Sequence, residues 1–148
     1  MRYFIFFVLS FGFLSLGRAQ TTVPPGEVYG TWIHSNSPYY ITGNIQISHD
    51  STLIIEPGVE VQIHGNYELK VMGRLLAEGT ETDTILFTVN DTTGFFIEDT
   101  TLGGWKGIRI YDIDGSNDST KLAYCRLEYG KAIGSGWKHN AGGCIICL

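Results

Sequence analysis

Few residues in this 148-residue chain are of the types and spacings that do chemistry. Cys144 and Cys147 stand three apart, as in a metal-binding or redox pair, and Cys125 is the third cysteine. No second pair exists to complete a zinc site, and residues three apart on a strand point to opposite faces. Two readings remain: small, buried apolar side chains, or a Cys125 disulfide to one of the other two. Asp112, Asp114, Asn117 and Asp118 gather oxygen ligands of the kind calcium takes. They lack the spacing and closing Glu of an EF-hand, and ordinary turn chemistry accounts for the same residues.

Glu56, Glu60 and Glu68 would serve sugar hydrolysis only if two of them converged roughly 5 to 9.5 Å apart on one cleft. Alternating outward carboxylates are also what the solvated face of a half-buried strand displays. Trp32, Tyr39, Tyr40, Trp105, Tyr111 and Trp137 offer aromatic faces, either for stacking on sugar rings or for packing a core. His34, His49, His64 and His139 are scattered, without ligand spacing. Two sequons, Asn90-Asp91-Thr92 and Asn117-Asp118-Ser119, fall in expected loops and matter where exported proteins are glycosylated. No Ser/His/Asp set, Cys/His set or phosphate-binding glycine loop is present. The expectation is therefore no catalytic residue, no metal ligand and no cofactor within this chain, which leans away from an enzyme and leaves that question open.

The elements that would hold these residues are short strands. From Thr52 to Thr88 apolar residues alternate with polar ones, and Gly, Pro or Asn closes each run. Leu53 and Ile55 share a face, as do Val59, Val61 and Ile63, then Leu69 and Val71, then Ile85 and Phe87. A clean period of two over three to five residues is a half-buried strand. Ile45-Gln46-Ile47 and Val61-Gln62-Ile63 are 16 positions apart, as are Leu53 and Leu69. This recurrence predicts a solenoid that stacks Ile on Val and Leu on Leu. A sandwich would space longer strands differently. Residues 89–104 break the rhythm and are expected to form a projecting loop, a common carrier of binding function. Strand resumes at Trp105–Tyr111, with Ile108 and Ile110 inward, and again over Leu122–Gly130, with Cys125 and Leu127 on one face.

The ends and the composition bound the class. Arg2 precedes an apolar run of 14 residues, Tyr3 to Leu16, and Gly17-Arg18-Ala19 offers a cleavage site. This predicts a secretory signal peptide; a spanning helix would need roughly 20 apolar residues. Removing Arg2 and Arg18 leaves 8 basic residues against 15 acidic ones. Such an acidic chain lacks the basic footprint that nucleic acid or an anionic membrane surface requires. With 43% hydrophobic and 17% charged residues the chain is a folded one, and 19 glycines against 4 prolines imply many tight turns. Gln20–Gly30 reads as a short polar leader, extended or loosely ordered. The apolar stretch Ala141–Leu148 has no polar cap, which predicts that the sequence is the N-terminal part of a longer protein.

Several motifs together carry a family resemblance: Ser37-Pro38-Tyr39-Tyr40-Ile41, Gly43-Asn44-Ile45, Leu53-Ile54-Ile55-Glu56-Pro57-Gly58-Val59 and Leu69-Lys70-Val71-Met72-Gly73. They continue with Ala77-Glu78-Gly79-Thr80, Ile85-Leu86-Phe87-Thr88, Gly104-Trp105-Lys106-Gly107-Ile108 and Leu122–Gly130. Over roughly residues 29–147 the chain resembles secreted bacterial proteins with right-handed parallel β-helix, pectate-lyase-like repeats. The resemblance implies a capping region followed by β-helix coils, and a packing role for Trp105 just before its strand. Some relatives with that fold are polysaccharide lyases or hydrolases, but no residue here matches their catalytic positions, and fold alone does not give function.

The resulting expectation is an all-β chain, a right-handed parallel β-helix with N-terminal capping strands, truncated at its C-terminus. Residues 1–19 form the signal peptide, 20–42 the leader and cap, and 43–148 incomplete coils. The expected function is a non-catalytic scaffold or binding module, secreted or at the cell surface, contacting polysaccharide or a surface protein. No transmembrane segment is expected once the leader is cleaved. The alternative is the front of a polysaccharide lyase or hydrolase whose catalytic coils lie downstream.

Overall fold

The computed structural model describes residues 19–98, 100–111, 119–131 and 144–147. The apolar leader to residue 18, the Asp112–Asp118 turn with the sequon at Asn117, Trp137 and His139 lie outside the described residues.

Alternation of apolar and polar side chains produces strands throughout. The early ones are β1 (Thr21–Val23), β2 (Gly26–Glu27), β3 (Gly30–Trp32), β4 (Tyr39–Ile41) and β5 (Ile45–Ile47). Then come β6 (Thr52–Ile55), β7 (Glu60–Ile63), β8 (Glu68–Val71), β9 (Arg74–Glu78) and β10 (Ile85–Val89). The last are β11 (Gly107–Ile110), β12 (Lys121–Ala123), β13 (Cys125–Leu127) and β14 (Ile145–Cys147). A 3₁₀ turn covers His34–Asn36. The stretch expected to be extended or loosely ordered supplies β1 and β2, which pair with β4 and β5.

All strand pairs are parallel, and each strand pairs with the one three further along the chain. Three sheets result, in the orders β1-β4-β7-β10-β13, β2-β5-β8-β11-β14 and β3-β6-β9-β12. This is an all-β arrangement compatible with a solenoid. The repeat is longer than the 16-residue spacing suggests. Ile45 lies beside Leu69, not Val61, and Leu53 lies beside Leu75, not Leu69. With three strands in each repeat, 16 positions advance the chain by two strands and reach a different sheet.

The inward faces merge into one core. Tyr39, Val61, Phe87 and Leu127 stack across one sheet, and Ile45, Leu69 and Ile108 across another. Leu53, Ile55, Leu75 and Ala77 fill the third inner face, all fully buried, while Ile54 between them points outward. Each Leu or Ile among them contributes roughly 1.5–3 kcal/mol by leaving water. An interior gap bounded by Trp32, Ile41, Val61, Phe87 and Trp105 measures about 10 Å³. That is about one water probe, so this part of the interior is filled by its own side chains.

Corners are made by residues that tolerate unusual backbone. Gly58 follows Pro57 with φ +75°, a left-handed conformation that favours glycine. Gly73 is needed for a different reason: a Cβ there would collide with the carbonyl oxygens of Ser48 and Ser51.

Candidate functional site

The outer surface does not bring the three candidate carboxylates together. Glu56 sits at the corner after β6, where its Oε2 accepts the His34 backbone N–H at 3.2 Å. Glu60, on β7, accepts from Gln62 Nε2 at 2.6 Å. Glu68, on β8 of a different sheet, pairs with Arg109 Nε at 3.2 Å. Each carboxylate has its own partner, and two of them lie on separate sheets.

The aromatic residues divide between core and surface. Trp32 stacks on Tyr39, centroids 4.7 Å apart, and both are buried. The Tyr39 hydroxyl accepts from the Ile33 N–H at 2.8 Å. Trp105 is buried against Phe87, and its Nε1 donates to the Glu128 carbonyl at 2.7 Å. On the surface Tyr40 lies against His64, and Tyr111 lies 4.9 Å from Lys70 Nζ. His34 belongs to the 3₁₀ turn and His49 to an exposed corner.

All three cysteines are free thiols, so no disulfide joins Cys125 to the CxxC pair. They are less buried than expected: Cys125 and Cys144 are half-buried and Cys147 is exposed, with Cys125 on β13 and Cys147 on β14, the outermost strands of their sheets among the described residues, and Cys144 just before β14. Cys125 Sγ lies 3.3 Å from the Ala77 carbonyl oxygen, and burial pushes its thiol pKa up. No group of three or more His, Cys, Asp or Glu able to hold a metal occurs among the described residues.

The most built feature outside the core is the loop after β10. It starts where the Asn90 N–H donates to the Ile63 carbonyl, 3.3 Å, and ends where Trp105 bridges to Gly130. Internal turns shape it: Phe95 N–H to Thr92 O and Ile97 N–H to Gly94 O, both 3.0 Å. The Asp91 carboxylate accepts the Thr93 N–H at 2.8 Å, and its contacts with Thr93 hold its pKa below the ordinary value. The Lys131 ammonium gathers the loop from beneath. It donates to the carbonyls of Gly94 (2.8 Å), Ile97 (2.9 Å) and Leu102 (3.0 Å), and lies 3.4 Å from Thr100 Oγ1. Phe95 turns edge-on to Tyr129, with centroids 5.2 Å apart.

So tied, the loop leaves apolar side chains in solvent: Phe96 is 91% exposed, Ile97 58% and Leu102 58%. Between the loop base and the corner after β7 lies an open cleft of about 340 Å³, lined by His64, Asn66, Asn90, Asp91, Thr93 and Leu102 among others. Asn66 Nδ2 donates to the Gly104 carbonyl at 3.3 Å across one end. The sequence marks the loop as an interruption of the strand rhythm, but nothing near Lys131 in sequence links it to residues 94–102. That link comes from the register of β10 with β13 and from the Trp105–Gly130 bridge.

Among curated proteins, the chain is similar to the protein bark beetle of Drosophila melanogaster, 32% identical over 101 residues. The matched stretch covers 67% of this chain and 3% of that protein, so the chain spans only a small part of its curated relative. That relative is an animal protein. No protein-family model matches the chain. No solved structure matches it.

Proposed function

We propose that this chain is part of an exported, non-catalytic scaffold, a right-handed parallel β-helix of the pectate-lyase-like kind, whose projecting loop binds a partner protein at or outside the cell surface. Pairing of every strand with the third strand on supports the β-helix. The apolar leader and its small-residue end support export. The observation that carries the binding role is Phe96, 91% exposed on a loop that Lys131 holds by three backbone carbonyls. A hydrophobic side chain fixed in water costs solubility, and its edge contact with Phe95 leaves most of it uncovered. Held rigidly, it meets a partner with little further loss of conformational entropy, and aromatic side chains are enriched at protein interfaces.

The test is a photoactivatable phenylalanine analogue at position 96 of the chain, exported by insect cells. Illumination is expected to yield protein adducts of discrete mass that weaken in a Lys131→Met background. Adducts to lipid alone, or none, overturn the reading.

A second reading has one observation behind it. Lys70 and Arg109 lie in register on adjacent strands, and Tyr111 flanks Lys70. Arg109 is taken up by Glu68, so Lys70 beside the Tyr111 ring is the cation an acidic polysaccharide would meet. Incubation with such polymers, followed by the absorbance of unsaturated products, tests whether contact extends to cleavage.

A further inference from the structure

We infer that Asn90 carries an N-linked glycan whose first sugar rests in the cleft between the loop base and the corner after β7. The inference rests on the export reading. Asn90, Asp91 and Thr92 form a sequon, and all three are exposed where the chain leaves β10. The Asn90 amide and the Thr92 hydroxyl make no hydrogen bond among the described residues, so both remain available. Only the backbone of Asn90 is engaged, to Ile63. An N-x-Thr sequon on a surface loop is the acceptor pattern for this modification, and the similar protein is an animal one.

The chemistry is a group transfer from a lipid-diphosphate-linked oligosaccharide. The Asn90 amide nitrogen attacks the anomeric carbon of the first sugar and forms the N–C bond. The C–O bond to the diphosphate breaks, the diphosphate leaves with that electron pair, and a base of the transferase takes the amide proton.

The cleft fits what would follow. It begins at Asn90 itself, and its volume of about 340 Å³ falls within the usual range for small-molecule sites. Ile63, Val89 and Leu102 offer apolar surface, while His64, Asn66 and Thr101 offer polar groups. A sugar ring presents the same pair of surfaces, an apolar face and a hydroxyl rim. Phe96, Ile97 and their contacts are not among the cleft's lining, so a glycan there covers the loop base and leaves the apolar tip open.

The experiment expresses the whole chain in insect cells, once with its own leader and once with an established leader placed ahead of it. Secreted protein is deglycosylated in isotopically labelled water and mapped by mass spectrometry. The label is expected at Asn90, absent in Thr92→Ala and retained in Thr92→Ser. Secreted chain with an unmodified Asn90 overturns the inference and leaves export standing. Modification only behind the added leader sustains the inference and removes export by the native leader. Endoglycosidase is expected to release this glycan slowly from native protein and fully after denaturation. Equal release from both overturns the placement in the cleft.

Discussion

Lys131 Nζ donates to the Gly94 carbonyl oxygen at 2.8 Å, although 37 positions separate the two residues. The loop would otherwise present several carbonyls to water, and one ammonium gathers three of them into a fixed arrangement. Hydrogen bonds to a charged group are worth roughly 1.5–3 kcal/mol in favourable settings, and solvent at this half-exposed site lowers that figure. Lys131→Met keeps the aliphatic stem and removes the donor. Amide exchange at Gly94–Ile97 is expected to accelerate well beyond that of β7 and β10, with a small change in melting temperature. Unchanged exchange in the loop would show that the ammonium is not its fastener.

Two phenylalanines nine positions apart should behave oppositely. Phe87 is fully buried against Trp105, while Phe96 is 91% exposed. Phe87→Ala is expected to cost roughly 3–5 kcal/mol, because it removes buried area and leaves a cavity. Phe96→Ser should change stability by no more than about 0.5 kcal/mol, yet should remove partner contact. Urea denaturation of the two variants checks the first half, and competition of the Phe96→Ser chain against wild type in surface binding checks the second.

Much of this architecture is legible in the sequence because strand alternation is a local signal. Leu53 and Ile55 inward with Ile54 outward follows from a period of two, and so does the inward set Val61, Ile63, Leu69, Val71, Ile85 and Phe87. The stacking register is not local. Ile45 and Val61 are similar in sequence context, but they sit on different sheets because one strand, β6, and two corners intervene. The loop was visible as a break in rhythm, while its fastening by Lys131 and the cleft at its base depend on which strands lie side by side.

Gly73 tests the corner geometry. Its backbone N–H donates to the Ile47 carbonyl at 3.1 Å, and a Cβ would run into the carbonyls of Ser48 and Ser51. Those atoms belong to backbone, which cannot rotate away as a side-chain end would. Gly73→Ala is expected to destabilise the fold by about 1–3 kcal/mol, the range for forcing an extra methyl into packed structure. The readout is the urea midpoint at unchanged slope. A midpoint equal to wild type would show that the neighbouring repeat yields freely at this corner.

The thiols give the last prediction, and its direction follows from burial. Cys125 lies on β13 with its sulfur close to the Ala77 and Ala123 carbonyls, and desolvation raises its pKa. The thiolate is the reacting form, so at pH 8 a smaller fraction of Cys125 is nucleophilic than of a free thiol in water. Raising the pH should accelerate its alkylation through a range above that of a free cysteine. Cys147 is exposed, so its access is open at every pH. Timed iodoacetamide labelling with mass mapping should therefore mark Cys147 first and Cys125 last at pH 8, with the gap narrowing as pH rises. Equal rates at pH 8 would show that burial does not protect Cys125.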